Sequence, residues 1–275
     1  MTGDVLHRAP SSLLYAGKCD LRNKKSEDPM KSFQEECATL ESLQIFDPAA
    51  FEGDENVPQK LCNLVLALAL IYNDCKNTTY AALLLKDCKP AGKPEINAVW
   101  GTWAGTEWHL FRLMISAVHE LFILIQGHQD ILNHEFLVKV VKQLHPASRK
   151  SWESLTAAAS GATPKDDFGR MLLRIRNQMV FHYDPKGIFG GFKRHFLVPT
   201  RLQDRAFISR GLSMGTSRFY FADAAVEEYF REIVGKGEVD QLSIKIRDVV
   251  DSLNFALLGL VDRFIQQRGF AYRNV

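Results

Sequence analysis

Apolar residues recur along most of this chain at spacings of three and four, the period of a helix seated on a core. Between 30 and 45, Phe33, Cys37, Leu40 and Leu43 keep that spacing. The loop FDPAAFEGDENVP follows, and Asn56 with Pro58 opens a helix predicted over 57–74. A second helix is predicted over 77–88, stopping in the proline- and glycine-punctuated KPAGKP. Residues 106–126 form the strongest element, with Thr106 as N-cap, Glu107 in the first turn and Gly127 at the stop. This stretch is apolar nearly all round, which predicts a central buried helix. A stripe of His109, Arg112, Ser116 and His119 interrupts it on one face. Shorter helices are predicted over about 132–144 and 147–159, separated by Pro146. A helix over about 165–183 ends at Asp184-Pro185, because a proline disfavours helical geometry in the residue before it. GIFGGF and the alternating or aromatic pieces RHFLV and SRFYF then suggest a small β-hairpin insertion, over about 194–221. Two helices, 222–234 and 239–267, complete the pattern. The class is mainly α: one helical domain over 29–275 behind a flexible, polar arm at 1–28.

Composition narrows function more than fold. Hydrophobic residues make up 46% and charged residues 24%, ordinary globular values. The first twenty residues lack the pattern of a signal peptide. The apolar runs 61–71 and 113–125 are short or interrupted for a bilayer, so a soluble, cytoplasmic chain with no membrane partner is expected. The 5 cysteines are odd in number, widely spaced and without a CxxC, which implies neither a disulfide framework nor a zinc site. No metal and no cofactor is expected. His119-Glu120 and His134-Glu135 begin a zincin pattern, but Ile123 and Val138 stand where the second histidine belongs. Gly211-Leu212-Ser213-Met214-Gly215 matches a nucleophile elbow, yet all 8 histidines precede Ser213, which excludes the usual chain order. No Walker A and no GxGxxG loop occurs. Charge does change the picture. Net charge is +2, but Lys165 to Arg218 holds 11 lysines and arginines against 4 acidic residues, a local +7 that suits an anionic partner or a solvated basic surface.

Inside that basic segment lies RIRNQMVFHYDP, residues 174–185, where polar functional groups crowd the end of an apolar run. At roughly 100° per residue, Phe168, Leu172, Ile175 and Met179 form the apolar centre of a helix. His182 falls within about 40° of that centre, Arg176 about 80° to the other side and Asn177 opposite, with Arg170, Arg174 and Gln178 facing solvent. Cations favoured by the helix dipole, and a hydrogen-bonded core histidine, account for this pattern without chemistry. Catalysis accounts for it too: an imidazole titrates near neutrality and a guanidinium grips phosphate with two parallel bonds.

Arg176-Asn177-x4-His182 resembles the signature of HEPN proteins, helical bundles marked by an arginine and a later histidine with four to six residues between them, and often by a polar residue directly after the arginine. The surrounding RNQMVFHYD is similar to the segment in bacterial HEPN-like proteins of unassigned function. A second match, Arg112 to His119, lies in the polar stripe; the first is preferred for its asparagine, its helix stop and its basic surroundings. The resemblance implies a HEPN-like bundle and a metal-independent endoribonuclease of toxin or phage-defence type. It would act as a homodimer that pools two copies of Arg176 and His182 and cleaves RNA by 2′-OH attack. Asn177, Tyr183 and Asp184 would support the site, Lys186, Lys193, Arg194 and Arg201 would guide RNA, and Arg112 and His119 are secondary candidates. A protein antitoxin or regulator is a further expected partner. The alternatives are a non-catalytic helical module that binds RNA or protein, and an all-α structural protein.

Overall fold

A computed structural model describes residues 44–92, 97–162, 166–198, 206–235 and 237–274. The arm at 1–28, most of the helix predicted over 30–45, and Arg201 lie outside them. The described chain is mainly α. After β1 (Gln44–Ile45) and a 3-10 turn (Pro48–Phe51) come two long helices, α1 (Gln59–Asp87) and α2 (Ala98–Gly127). Three shorter ones follow, α3 (Gln129–Leu132), α4 (Glu135–Lys142) and α5 (Pro146–Gly161). Next, α6 (Asp167–Ile175) runs into a π turn (Arg176–Val180), and α7 (Pro185–Phe196) starts after it. A 3-10 turn (Met214–Thr216), α8 (Tyr220–Val234), α9 (Val239–Gln267) and β2 (Arg273–Asn274) complete the order.

Several elements depart from the expected pattern, each for a physical reason. The two helices expected over 57–74 and 77–88 are one. No proline or glycine stands between Gln59 and Asp87, the modest cost of Asn77, Thr78 and Thr79 inside a helix does not break it, and Cys75 and Ala82 are buried on either side of them. Helix α2 starts eight residues before Thr106, because Asn97 Oδ1 caps it by accepting Trp100 N–H at 2.9 Å. Thr106 instead donates its hydroxyl to Thr102 O at 2.8 Å inside the helix. At this full length α2 is long and apolar enough to cross a membrane by length and composition, which 113–125 alone was not; Phe111, Met114, Ile115, Val118 and Leu121 are nonetheless buried within the protein. The hairpin expected over 194–221 is the third correction. RHFLV closes α7 and SRFYF opens α8, and among the described residues the antiparallel pairing is a single bridge, Ser209 to Arg218, with N–H···O distances of 2.9 and 3.1 Å. Asp184 caps α7 and Pro185 occupies its first turn, so GIFGGF is drawn into a helix.

Where the sequence reads as one domain, backbone contacts gather the chain into two compact units. One holds Thr78–Ser116 and Arg170–Ile246, and its core includes Trp108, Phe111 and Phe230, with ring centroids 5.1 Å apart for Trp108–Phe230 and 5.7 Å for Phe111–Phe230. Here α7 and α8 approach closely. A Cβ at Gly191 would lie 2.1 Å from Ala225 O, and one at Gly187 2.0 Å from Tyr229 Cζ, so only glycine fits this face. The other unit holds the described part of Ala16–Asn77, with Ala117–Gly169 and Arg247–Val275. Its core gathers Leu61, Leu64, Leu68, Phe122, Leu137, Leu155, Leu253 and Phe264. Pro146 does not merely separate helices there: it opens α5, with His145 Nδ1 accepting Ala147 N–H at 3.3 Å. Arg268 ties the far end of the chain to the start of the unit, donating to Glu52 O and pairing with Asp54 at 2.9 Å, while β1 and β2 pair Gln44 with Asn274 and Ile45 with Arg273.

Candidate functional site

The motif stands where the α register ends. α6 carries Leu172 and Ile175 into the core, but at Arg176 the backbone widens: Phe181 N–H reaches Arg176 O, five residues back, at 3.2 Å. Asp184 N–H then bonds Gln178 O at 3.1 Å, and Asp184 Oδ1 accepts Lys186 N–H at 3.1 Å to start α7. The projection of a continuous helix to 183 therefore fails in its last turns. His182, expected to face packed surface in a core or against a partner protomer, is exposed on the single chain and so is no core residue, because it lies past the end of the π turn. Gln178, expected to face solvent, is half-buried, its Oε1 2.9 Å from Tyr229 Oη.

Arg176 is half-buried and oriented from two sides. Its Nη1 donates to Asn177 Oδ1 at 2.8 Å, and its guanidinium stands 5.1 Å from the centre of the Phe181 ring, a cation–π geometry. Asn177 thus acts on the arginine beside it, a role its opposite helical phase did not suggest. Tyr183 is exposed next to His182. The Asp184 carboxyl is held below the usual carboxylate range by the Tyr229 hydroxyl first, at 2.9 Å, and then by backbone N–H groups at the start of α7.

The structure brings one of the two secondary candidates to the motif. Arg112, from α2, donates Nη1 to Met179 O inside the π turn at 3.1 Å. Its Nε is buried with no hydrogen-bond partner among the described residues. Burial lowers the Arg112 pKa, opposed by the nearby Tyr183 and Asp223; a guanidinium stays charged under such a shift. One turn earlier on α2, His109 is held below the ordinary imidazole value by partial desolvation, then by the Arg112 and Arg218 cations, with Asp223 opposing. Arg218 Nε pairs with Asp223 Oδ2 at 2.9 Å, close over Gly105, where a Cβ would meet Arg218 Nη2 at 2.2 Å. Arg218 and Asp223 also line an open depression of about 640 Å³ with Gly211, Ser213 and Phe219. Ser213 itself faces Thr216 across a 3-10 turn, hydroxyl to hydroxyl at 3.0 Å, as a turn residue does and not a nucleophile with a base. His119 belongs to the other unit, where it is buried.

No protein-family model matches the chain, and neither the curated proteins nor the solved structures hold a match to it. The site rests on its own geometry.

The basic residues divide. Lys186 and Lys193 are exposed on α7, whereas Arg194 is already paired with Glu232 of α8, and Arg201 lies outside the described residues. Two residues that matter were missed from sequence. Tyr229 sits in α8, 45 positions from Asp184, and nothing but the α7–α8 packing reveals their meeting. Gln178 was assigned to the wrong face by a helical period that the backbone abandons at Arg176. The crowding of polar groups before Pro185 was the available signal for both.

Proposed function

We propose that the chain is a HEPN-like endoribonuclease that works from Arg176 and His182 of two associated copies. The observation that carries this reading is the π turn. It holds Arg176 against Asn177 and Phe181 and then releases the chain so that His182, just past its end, is exposed. Wide turns of this kind are rare and gather at functional positions. In the proposed reaction His182 takes the proton from a ribose 2′-OH, the 2′-oxygen attacks phosphorus, and the bond from phosphorus to the 5′-oxygen breaks. The leaving oxygen receives a proton from an imidazole, and the products are a 2′,3′-cyclic phosphate and a 5′-hydroxyl. Arg176 stabilises charge on the phosphoryl oxygens as it develops. Lys186 and Lys193 guide the backbone through exposed charge, which makes binding weaken as salt rises.

Replacing Arg176 or His182 by alanine is expected to lower cleavage of a mixed RNA, with chelator present, by roughly 10²-fold or more, with the circular dichroism spectrum unchanged. If both variants cut as wild type does, the site is elsewhere.

One observation favours a second reading, a non-catalytic module that binds RNA or protein with the same fold. Phe181 and Tyr183, on either side of His182 in the chain, and Phe189 of α7 are 57, 67 and 59% exposed, rings suited to contact more than to proton transfer. RNA retained by the chain without cleavage, and lost on replacing these rings, would select it.

A further inference from the structure

Arg176 and His182 hang on a segment that ordinary helical hydrogen bonds do not hold. Its backbone bonds reach five residues, Phe181 N–H to Arg176 O at 3.2 Å, and six, Asp184 N–H to Gln178 O at 3.1 Å. The tighter four-residue register is the general preference of such a chain, so contacts from outside must favour the wide one. Two side chains supply them. Arg112 donates to Met179 O, as described, and Tyr229 reaches both ends of the six-residue span from Gln178 to Asp184, its hydroxyl 2.9 Å from Gln178 Oε1 and 2.9 Å from Asp184 Oδ2. A phenol has one proton, and a carboxylate only accepts. Donation to Asp184 therefore leaves the phenol oxygen to accept, from the Arg174 guanidinium that also bonds it and from the Gln178 amide when this is turned so that its NH2 group faces the hydroxyl. This bridge spans the π turn and the cap of α7 in one step. It also depends on Gly187, where a Cβ would lie 2.0 Å from Tyr229 Cζ and 2.4 Å from its Oη. With any larger residue there, the hydroxyl could not sit between its two partners.

We infer that Tyr229 is the positioning residue of this site: its hydroxyl, bridging Gln178 and Asp184, fixes the wide register of Arg176–Val180 and so sets where Arg176 stands relative to His182. The effect on cleavage rests on the ribonuclease reading above, while the effect on register does not. A misplacement of about 1 Å in a catalytic group can cost roughly 10²-fold in rate, which is the scale on which a register change acts.

The test uses the full chain with Tyr229→Phe, which removes one oxygen and keeps the ring, and with Gln178→Leu, which removes the other side of the bridge. Amide hydrogen exchange by NMR reads the register, and RNA cleavage kinetics read the site. In both variants the Phe181 and Asp184 amides should exchange about ten-fold faster or more. The Ile188 amide, bonded to Asp184 O at 3.0 Å in α7, should keep its wild-type rate. In a chain that cuts RNA, kcat should fall about 10- to 100-fold with KM within about two-fold. Unchanged exchange at Phe181 and Asp184 overturns the inference, as does a uniform rise across all amides, which would make Tyr229 a general support of the fold. Faster exchange with unaltered kcat overturns the link to the site. Faster exchange at those two amides in a protein that cuts no RNA supports the register claim and defeats the ribonuclease reading alone.

Discussion

Burial acts differently on two charged residues of α2. Arg112 keeps its charge and spends it on Met179 O, whereas Glu107, with Oε2 buried and unpartnered among the described residues, is pushed up to about 7 by desolvation, only partly opposed by Lys89. The folded value lies above the ordinary 4.5, so between about pH 4.5 and 7 the native chain binds a proton that the unfolded chain has released. The stability this contributes is complete below about 4.5 and is lost as pH rises through about 7. Glu107→Gln keeps the shape without the ionisation. At pH 8 it should be more stable than wild type by roughly 1–2 kcal/mol once solvent screening is allowed for. Thermal unfolding from pH 4 to 8 should show the difference shrink towards zero on the acid side. A gap independent of pH would mean that Glu107 does not ionise in this window.

At the scale of elements, the pairing of α7 with α8 decides whether Tyr229 can reach the motif, and two neighbouring glycines of α7 separate packing from propensity. A Cβ at Gly191 meets the Ala225 carbonyl at 2.1 Å, a backbone atom that cannot swing aside, while one at Gly190 meets only the end of Arg194 at 3.3 Å. Gly191→Ala should therefore destabilise by about 1–3 kcal/mol through forced separation of the helices. Gly190→Ala should be neutral or stabilise by up to about 1 kcal/mol, since alanine is the better helix former. Chemical denaturation of both variants checks the pair, and equal effects would refute the close approach. The same glycines explain what sequence could and could not reveal. Periodicity was enough for α9, predicted over 239–267 and found as Val239–Gln267, and nearly enough for α8. It failed at GIFGGF, because glycine carries one symbol for two uses, a turn with special dihedrals and a helix face that admits another backbone. It failed again after Ile175, because a change from four-residue to five-residue hydrogen bonds leaves no mark in composition. Arg176 and His182 are legible as a pair; the turn between them, and its supports Gln178 and Tyr229, arise only from the packing of α7 on α8 and the change of register after Ile175.

Over the whole chain the net charge is only +2, and the segment from Lys165 to Arg218 carries more positive charge than that by itself. Positive charge is thus concentrated in the part of the sequence that holds the motif, and the remainder is net acidic. Each chain brings one Arg176 and one His182, and the proposed pooling of two copies predicts something that neither copy does alone. Dimers that mix Arg176→Ala with His182→Ala retain one intact arginine and one intact histidine, on different chains. If the working pair is shared across a two-fold interface, mixing the two inactive variants restores cleavage, because the isologous arrangement presents each residue to the other chain. Since each group supplies roughly 10²–10⁴-fold, recovery should exceed either variant alone by at least about ten-fold. It should rise with protein concentration until sedimentation shows the dimer saturated. A mixture that forms dimers and stays at the level of its inactive parts would show that one arginine and one histidine from different chains do not suffice, and would refute a working pair shared across the interface. A wild type that cuts while sedimenting as a monomer would remove the partner from the mechanism altogether.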